Sequence, residues 1–579
     1  MDEEDHNPYS TGRFIVRQFF NLENEMLASF YERRFRGEAY LIAFVAIVGL
    51  LHPLLYWSVF SGDAEIHLVY ARNLLRGHPL EFNLDQPNSG ETSMGFMLID
   101  ALAMWVVGAA MTPLAVKIIC LAGLYATAGV TFLVAGRIGL RRPWRELAAL
   151  LTLWLPGSVY NGMSGTENAV FAAFACAYFY LTLLFRWYDE RQGPTLRQDA
   201  IAGLLAGALF WLRPEALPLL LILVTVRLAG AHWFGRRMVR ELAQLGVLLG
   251  VFGAAILAYI AIFVHFSHEL PYGAGQARRL MSSHLESAWI GKVPVNIKVL
   301  VRIAAYFSIV VPALAVVGWA LFRNSSDRSE RLTIIALAAA FFGFLAAYLF
   351  NVLPSFHFAR YTIFIWPFGM LAAALGLQAV AQSHWPRRGL AMGMIATSSL
   401  GFVGVAIYEL GLRRDVSRNS DSLYSVQAAP ERREANSAKL AQSLGLAVGA
   451  RATLGLQEVD TRYELTDNFE VRSLDGITDS RLLRYLCDGW VDHDGYVIDT
   501  KIDYLLEFPS LDRARSVWSI ADLAELAVGE SVARPGVTYT KIRPRIVKVQ
   551  RTVDRSSSRP GDACSTSRTT EPTSGHGTQ

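Results

Sequence analysis

The sequence is poor in charge. Asp, Glu, Lys and Arg make up 18% of 579 residues, against about 25% in a typical soluble domain. The net charge of +4 is scattered, with no basic stripe, which argues against a nucleic-acid partner. Cysteine is scarce as well. Cys120, Cys176, Cys487 and Cys564 show no metal or redox spacing, and the first two lie in apolar runs, where they read as small packing residues. No nucleotide-binding motif is present: Gly90 and Gly95 lie outside any strand–loop–helix context and read as turns. Residues 1–38 mix Asp, Glu and Arg without an apolar core, so no signal peptide is expected and the first hydrophobic segment is expected to target the chain. No internal repeat stands out.

What the chain has instead is long apolar runs. Hydrophobic residues reach 53% and the mean hydropathy is +0.29. Runs near bilayer-spanning length recur at about 39–60, 114–136, 145–161, 168–187, 199–213, 215–231, 243–266, 300–322, 331–350, 360–381 and 389–410. The expected fold class is therefore an α-helical polytopic membrane protein of about eleven spans. Residues 94–111 are also apolar, and arginine clusters decide how they are placed. Arg33, Arg34 and Arg36 put the N-terminal segment 1–38 inside. The clusters Arg137–Arg145, Arg186/Arg191, Arg236–Arg240, Arg323–Arg331 and Arg387/Arg388 all fall inside only if 94–111 lies at the interface or re-enters without crossing. That topology puts the C-terminus outside.

After Leu412 the composition becomes mixed and charged. Residues 413–550 are expected to form a small extracytoplasmic α/β domain. Helices are expected over 440–446 and 481–487, and strands over 471–474 and 496–500. The Ser-, Thr-, Arg-, Gly- and Pro-rich residues 551–579 are expected to be a disordered tail.

With this topology the unexplained polar groups gather on one face. They are the loop 61–113, Ser164–Asn168, Arg213-Pro214-Glu215, His268–Pro271 and His357–Tyr361. Asp63 and Glu65 stand where the first span leaves the bilayer, and acids there are costly unless they face an aqueous site. Carboxylates and cations beside a lipid-accessible flank suit transfer of a group from a lipid-phosphate carrier to a hydroxyl. A carboxylate accepts the acceptor's proton, and Arg or His neutralises the leaving phosphate.

The order of motifs resembles a known family. Gly62-Asp63-Ala64-Glu65-Ile66, Tyr70-Ala71-Arg72-Asn73-Leu74, Gly77-His78, Phe82-Asn83 and Gly90-Glu91-Thr92-Ser93 resemble the first external loop of bacterial glycosyltransferases with the C-type membrane fold, nearest to the arabinofuranosyl- and mannosyltransferase-like branch. Ser164-Gly165-Thr166-Glu167 resembles the family's second acidic loop, and Leu212-Arg213-Pro214-Glu215 its Arg-Pro-Glu signature. Leu270-Pro271 followed by Arg278 resembles the donor-side loop, Arg360-Tyr361 the late Arg-Tyr element, and Asp475–Asp479 an element of the outer domain. The likeness runs through roughly residues 40–510, and its specificity lies in motif order rather than in any single motif. The chain departs from the family in having Gly62-Asp63 where two adjacent acids are common, Glu65 in place of an aromatic, and Tyr272 in place of Asn.

The resemblance implies a polyprenyl-phosphate-linked sugar as donor, a glycan or glycolipid of the cell envelope as acceptor, and extracytoplasmic transfer in a bacterial cell membrane. It implies Asp63 as catalytic base. Glu65, Glu167, Arg213, Glu215, Arg278, His357 and Arg360 are the candidate substrate-binding residues, with Arg360 the preferred phosphate clamp. No cofactor is assigned, and a divalent cation stays open, with Asp63 and Glu167 as its candidate ligands. Plainer readings stand beside these. Asp63 could be a solvated helix-end carboxylate, Glu167 a helix cap, Arg213 and Glu215 a local pair around a structural proline, and Arg278 a contact to lipid headgroups. The rival functions are a lipid-linked-glycan transporter or flippase, a ligase moving whole glycans, and a non-catalytic scaffold with an outer binding domain.

Overall fold

The structure is a computed structural model. It describes residues 50–57, 60–271, 327–344 and 363–381 apart from Asp85 and Leu155, and segments within 452–551. The expected spans at 300–322 and 389–410, most of 39–60, and the candidates Arg278, His357 and Arg360 lie outside the described residues.

The described part is mainly helical. Helix α1 (Gly62–Leu75) is followed by the short strands β1 (Glu81–Asn83) and β2 (Gln86–Pro87), then α2 (Met94–Val107) and α3 (Thr112–Arg137). Next come α4 (Trp144–Trp154), α5 (Pro156–Gly162), α6 (Asn168–Leu184), α7 (Leu196–Leu212), α8 (Ala216–Trp233) and α9 (Met238–Ser267). Helices α10 (Arg328–Ala338) and α11 (Trp366–Ala381) follow among the described residues. The expected 145–161 run contains two described helices, α4 and α5, the second beginning with Pro156. The expected run from 331 begins three residues earlier and passes into a π-helical turn at Ala339–Gly343.

Among the described residues three helices, over 109–137, 216–233 and 238–267, are long and apolar enough to cross a membrane. In α9 only 22% of the most apolar window is buried, and Leu249, Leu257 and Val264 are exposed. An apolar surface of that length has lipid as its fitting solvent. The 14 residues of α2 extend about 21 Å, short of the roughly 30 Å hydrocarbon core. Close helix contacts use small residues. A Cβ at Gly203 would meet the Leu248 carbonyl oxygen at 2.4 Å, so α7 and α9 approach backbone to backbone.

At one end of α7, α8 and α9 lies a buried ion cluster. Arg227 donates from Nη1 and Nη2 to the two carboxylate oxygens of Asp199 at 2.6 and 3.0 Å, and from Nε and Nη2 to Glu241 Oε2 at 3.2 and 3.1 Å. Arg236 donates to Glu241 Oε1 and to the Gln192 carbonyl, both at 3.3 Å. With its guanidinium fully engaged this group reads as a clamp on three helices. The polar loops described below emerge at the other end of α7.

The C-terminal part contains a six-stranded mixed sheet in the order β4-β3-β7-β10-β9-β8. Its strands are β3 (Ala452–Leu456), β4 (Phe469–Ser473), β7 (Tyr504–Leu506), β8 (Ser531–Arg534), β9 (Val537–Arg543) and β10 (Ile546–Arg551), and β5 (Leu486–Cys487) and β6 (Trp490–Val491) form a separate pair. Strand β3 is parallel to β4 and β7, and β10 is antiparallel to β7 and β9. Two local expectations fail here. Residues 496–499, expected as strand, belong to helix α12 (His493–Asp499), where Tyr496, Val497 and Ile498 are buried. A short apolar run does not separate strand from buried helix, and packing overrides the β-branched preference. Leu486 and Cys487, expected to end a helix, are strand. The sheet docks on the first loop: Asn83 Nδ2 donates to the Val471 carbonyl at 2.7 Å, and the Val471 N–H donates to Asn83 Oδ1 at 3.0 Å.

Candidate functional site

The site begins at the N-terminus of α1. Ser61 is extended and caps the helix, its Oγ accepting from the Ala64 N–H at 3.3 Å. Asp63 and Glu65 occupy the first turn, where the helix dipole favours carboxylates. Asp63 is half-buried and Glu65 buried. The Ser61 N–H donates to the Ser164 carbonyl at 2.8 Å, which lashes the start of α1 to the second acidic loop. Gly165 makes that approach feasible. Its φ is +84°, and a Cβ there would stand 2.6 Å from the Phe60 ring and 3.1 Å from the Ala64 Cβ. Gly165→Ala is expected to cost about 1–3 kcal/mol through overpacking, added to the strain of positive φ. A lowered thermal midpoint in detergent with secondary structure retained would show it.

Five segments meet here: the start of α1, the loop 163–168, the residues before α2, the end of α7 and α3. Ser93, just before α2, donates from Oγ to the Leu212 carbonyl at the end of α7 at 2.5 Å. Lys117 on α3, fully buried, donates to the Met163 carbonyl, and Cys120 lies 3.5 Å from the Thr166 carbonyl oxygen. Asn168 donates to Thr166 Oγ1 at 2.6 Å. The loop 163–168 is thus held from α1, α3 and its own helix.

At the centre is His67. Its Nδ1–H donates to Glu91 Oε2 at 2.9 Å and its Nε2–H to Glu167 Oε2 at 3.2 Å. A carboxylate oxygen faces each ring nitrogen, the arrangement that favours an imidazolium. Burial disfavours that charge, but Glu91 and Glu167 together outweigh it and hold the pKa of His67 well above its ordinary value. Glu91 Oε1 also accepts from the Ser93 N–H at 2.6 Å. Glu167 Oε1 accepts from Arg213 Nη1 at 2.5 Å, and the same nitrogen reaches Asn168 Oδ1 at 2.6 Å. The fork closes on Glu215, with Nη2–Oε1 at 2.7 Å and Nε–Oε2 at 3.1 Å. Asp100 on α2 faces this cluster, and neither of its oxygens has a hydrogen-bond partner. Such burial is costly for an ionised carboxylate.

The structure therefore joins Glu167, Arg213 and Glu215 in one network and ties the start of α1, which carries Asp63 and Glu65, to the same loop through Ser61. Glu167 stands at the N-cap position of α6, but its side chain makes no capping bond and is engaged by His67 and Arg213. The local Arg213–Glu215 pair exists, but as one arm of a longer chain. Among the described residues no group of three or more His, Cys, Asp or Glu side chains is arranged to hold a metal ion. His67, Glu91 and Asn168 were not singled out from sequence. The available signal was an excess of acids in the first loop, where Asp63, Glu65, Glu81, Asp85 and Glu91 stand against Arg72 and Arg76. Glu269 joins the same rim, accepting from the Ser89 N–H at 3.1 Å and from Ser89 Oγ at 2.7 Å.

The raised pKa of His67 gives a pH prediction. A raised folded-state pKa contributes stability that is fully present below the unfolded value of about 6.5 and is lost as pH rises through the folded value. His67→Gln is expected to lose about 1.5–3 kcal/mol per charge-assisted bond removed. The gap between wild type and variant should narrow at alkaline pH, read from unfolding midpoints across pH.

No family model and no curated protein matches the chain. Solved structures do. ArnT from Cupriavidus metallidurans in the apo state is similar at 12% identity and a TM-score of 0.48, over 89% of this chain and 98% of that one. The same protein bound to undecaprenyl phosphate is similar at 14% identity and a TM-score of 0.46, over 89% and 98%. The archaeal oligosaccharyltransferase AglB from Archaeoglobus fulgidus, in complex with an inhibitory peptide and a dolichol-phosphate, is similar at 10% identity and a TM-score of 0.48, over 84% and 72%. These are likenesses of chain course, at identities too low for residue-by-residue correspondence. The chain itself is a helical polytopic membrane protein whose motif order resembles glycosyltransferases of the C-type membrane fold.

Proposed function

We propose that this protein is a membrane glycosyltransferase. It moves one sugar from a polyprenyl-phosphate donor to a cell-envelope glycan or glycolipid acceptor on the extracytoplasmic side. The observation that carries the reading is the convergence of Asp63, Glu65, His67, Glu91, Glu167, Arg213 and Glu215 at one end of the bundle, beside helices with lipid-suited surfaces.

The reaction is a single in-line displacement at the anomeric carbon. The acceptor hydroxyl gives its proton to the Asp63 carboxylate as its oxygen forms the new bond to carbon. The carbon–oxygen bond to phosphate breaks with its electron pair, and polyprenyl phosphate leaves. Glu167, with one oxygen on Arg213 and the other on His67, and Glu215, with both oxygens on Arg213, are held rigidly enough to orient sugar hydroxyls through their remaining lone pairs. Arg278, His357 and Arg360 are assigned to the leaving phosphate on the sequence resemblance and their charge.

The test is a transfer assay with purified full-length protein. Radiolabelled polyprenyl-phosphate pentoses and hexoses, and nucleotide sugars, are offered with a cell-envelope acceptor extract. Transfer from one lipid-linked sugar and none from nucleotide sugars is expected. Folded protein that uses no lipid-linked donor would overturn the reading and leave transport or scaffolding ahead.

A further inference from the structure

Strand β4 is the outermost of the six described strands of the C-terminal sheet, and a strand edge presents unpaired N–H and C=O groups. Asn83 closes that edge. Its Nδ2 donates to the Val471 carbonyl at 2.7 Å, and its Oδ1 accepts from the Val471 N–H at 3.0 Å. A side-chain amide carries one donor group and one acceptor, which neither Asp nor Leu does. Asn83 thus stands in for a neighbouring strand at one residue. Beside it Gln86 donates from Nε2 to Glu470 Oε1 at 2.7 Å and accepts from Arg472.

From this contact a run of hydrogen bonds leads to Glu91. Asn73 on α1 donates to the Glu81 and Phe82 carbonyls at 2.9 and 3.1 Å and so fixes β1. The Asn88 N–H donates to the Leu80 carbonyl at 2.9 Å, and Asn88 Nδ2 to the Gln86 carbonyl at 3.3 Å. Asn88 Oδ1 accepts from the Tyr70 hydroxyl on α1 and from the Gly90 N–H at 3.0 Å. Glu91 follows, with one oxygen on the Ser93 N–H and the other on His67. Asn73, Asn83, Asn88 and Glu91 are all buried, where a hydrogen bond is costly to leave unmade. The run has few ways to rearrange without breaking one.

We infer that Asn83 is a positioning residue for the transfer: through the β1–β2 hairpin, the docked C-terminal sheet sets where Glu91 and His67 stand. The inference rests on the proposed transfer for what is positioned, but not for the dependence of the loop on the sheet. It gives the C-terminal part a role at the site without any contact to the reacting atoms.

Amide hydrogen exchange and transfer kinetics are measured on full-length protein in detergent. Asn83→Leu is expected to speed exchange over residues 89–93 about tenfold, through loss of two buried hydrogen bonds. It should lower kcat by about 10- to 100-fold with KM nearly unchanged, since Asn83 misplaces the site without touching substrate. Tyr70→Phe keeps the ring packed on Phe82 but cuts the run at Asn88, and should move both readouts in the same direction. Arg551→Gln removes an ion pair to Asp503 on β10, the third strand along from β4, and should move neither. Should Asn83→Leu not fold, Gln86→Met at its half-buried position is read in its place. Unchanged exchange over residues 89–93, an equal rise in Arg551→Gln, or faster exchange with undiminished kcat overturns the inference. Faster exchange where even wild type transfers from no lipid-linked donor leaves the loop's dependence on the sheet standing and removes the transferase reading instead.

Discussion

Asp63→Asn is expected to lower sugar transfer by about 10²–10⁴-fold, the usual contribution of a positioned general base. Asn preserves size and hydrogen-bonding shape but cannot take a proton at neutral pH. Its place in the first turn of α1, after the Ser61 cap, is compatible with an amide, so folding should be retained. Comparing kcat with KM separates the possibilities. A base acts only in the transition state, so kcat and kcat/KM should fall together with KM nearly constant. A rise in KM with kcat unchanged would make Asp63 a ground-state binding residue. A silent substitution would remove it from the mechanism.

Part of this site was legible in the sequence because cost is legible there. Acids and arginines at the ends of apolar runs are expensive, so Asp63, Glu167, Arg213 and Glu215 stood out as anomalies. Their partners did not. His67 lies in Glu65–Arg72 of an ordinary amphipathic helix, and only the fold brings it within 3.2 Å of Glu167, one hundred residues away. Glu91 reads as one polar residue of a loop until His67 arrives. Long-range pairing of this kind has no local period to betray it. The failed strand at 496–500 has a similar origin. Tyr496, Val497 and Ile498 favour strand by type, but burial on the C-terminal sheet decides the state.

The two buried charge groups also differ in a way that bears on function. Arg227 is held between Asp199 and Glu241 on three helices, with its charge balanced inside the bundle. The outer group joins loops as well as helix ends, and among the described residues it carries more carboxylates than cations. Three acids, Glu91, Glu167 and Glu215, face His67 and Arg213, and Asp63, Glu65 and Asp100 stand nearby. An excess of negative charge costs stability unless something else is bound or protonated there. A site for hydroxyl-rich sugar with an adjacent proton acceptor has use for that excess, whereas a helix clamp has none.

Arg213 carries the second large effect. Its guanidinium serves Glu167, Asn168 and Glu215 from three nitrogens. Arg213→Met keeps much of the side chain's bulk and removes every one of these bonds. It leaves two carboxylates short of a partner in a buried setting, and the expected loss is about 3–5 kcal/mol. Arg213→Lys keeps the charge but cannot grip Glu215 through two parallel bonds while holding Glu167, so an intermediate loss is expected. The cost belongs to stranded carboxylates, so it should not add. In the Arg213→Met background, Glu167→Gln should recover part of the loss, although the same change in wild type is destabilising. Unfolding of the four proteins in one detergent measures the cycle. Strict additivity would mean that the Arg213–Glu167 contact is not the energetic centre of this network, and the site would have to be rebuilt around His67 alone.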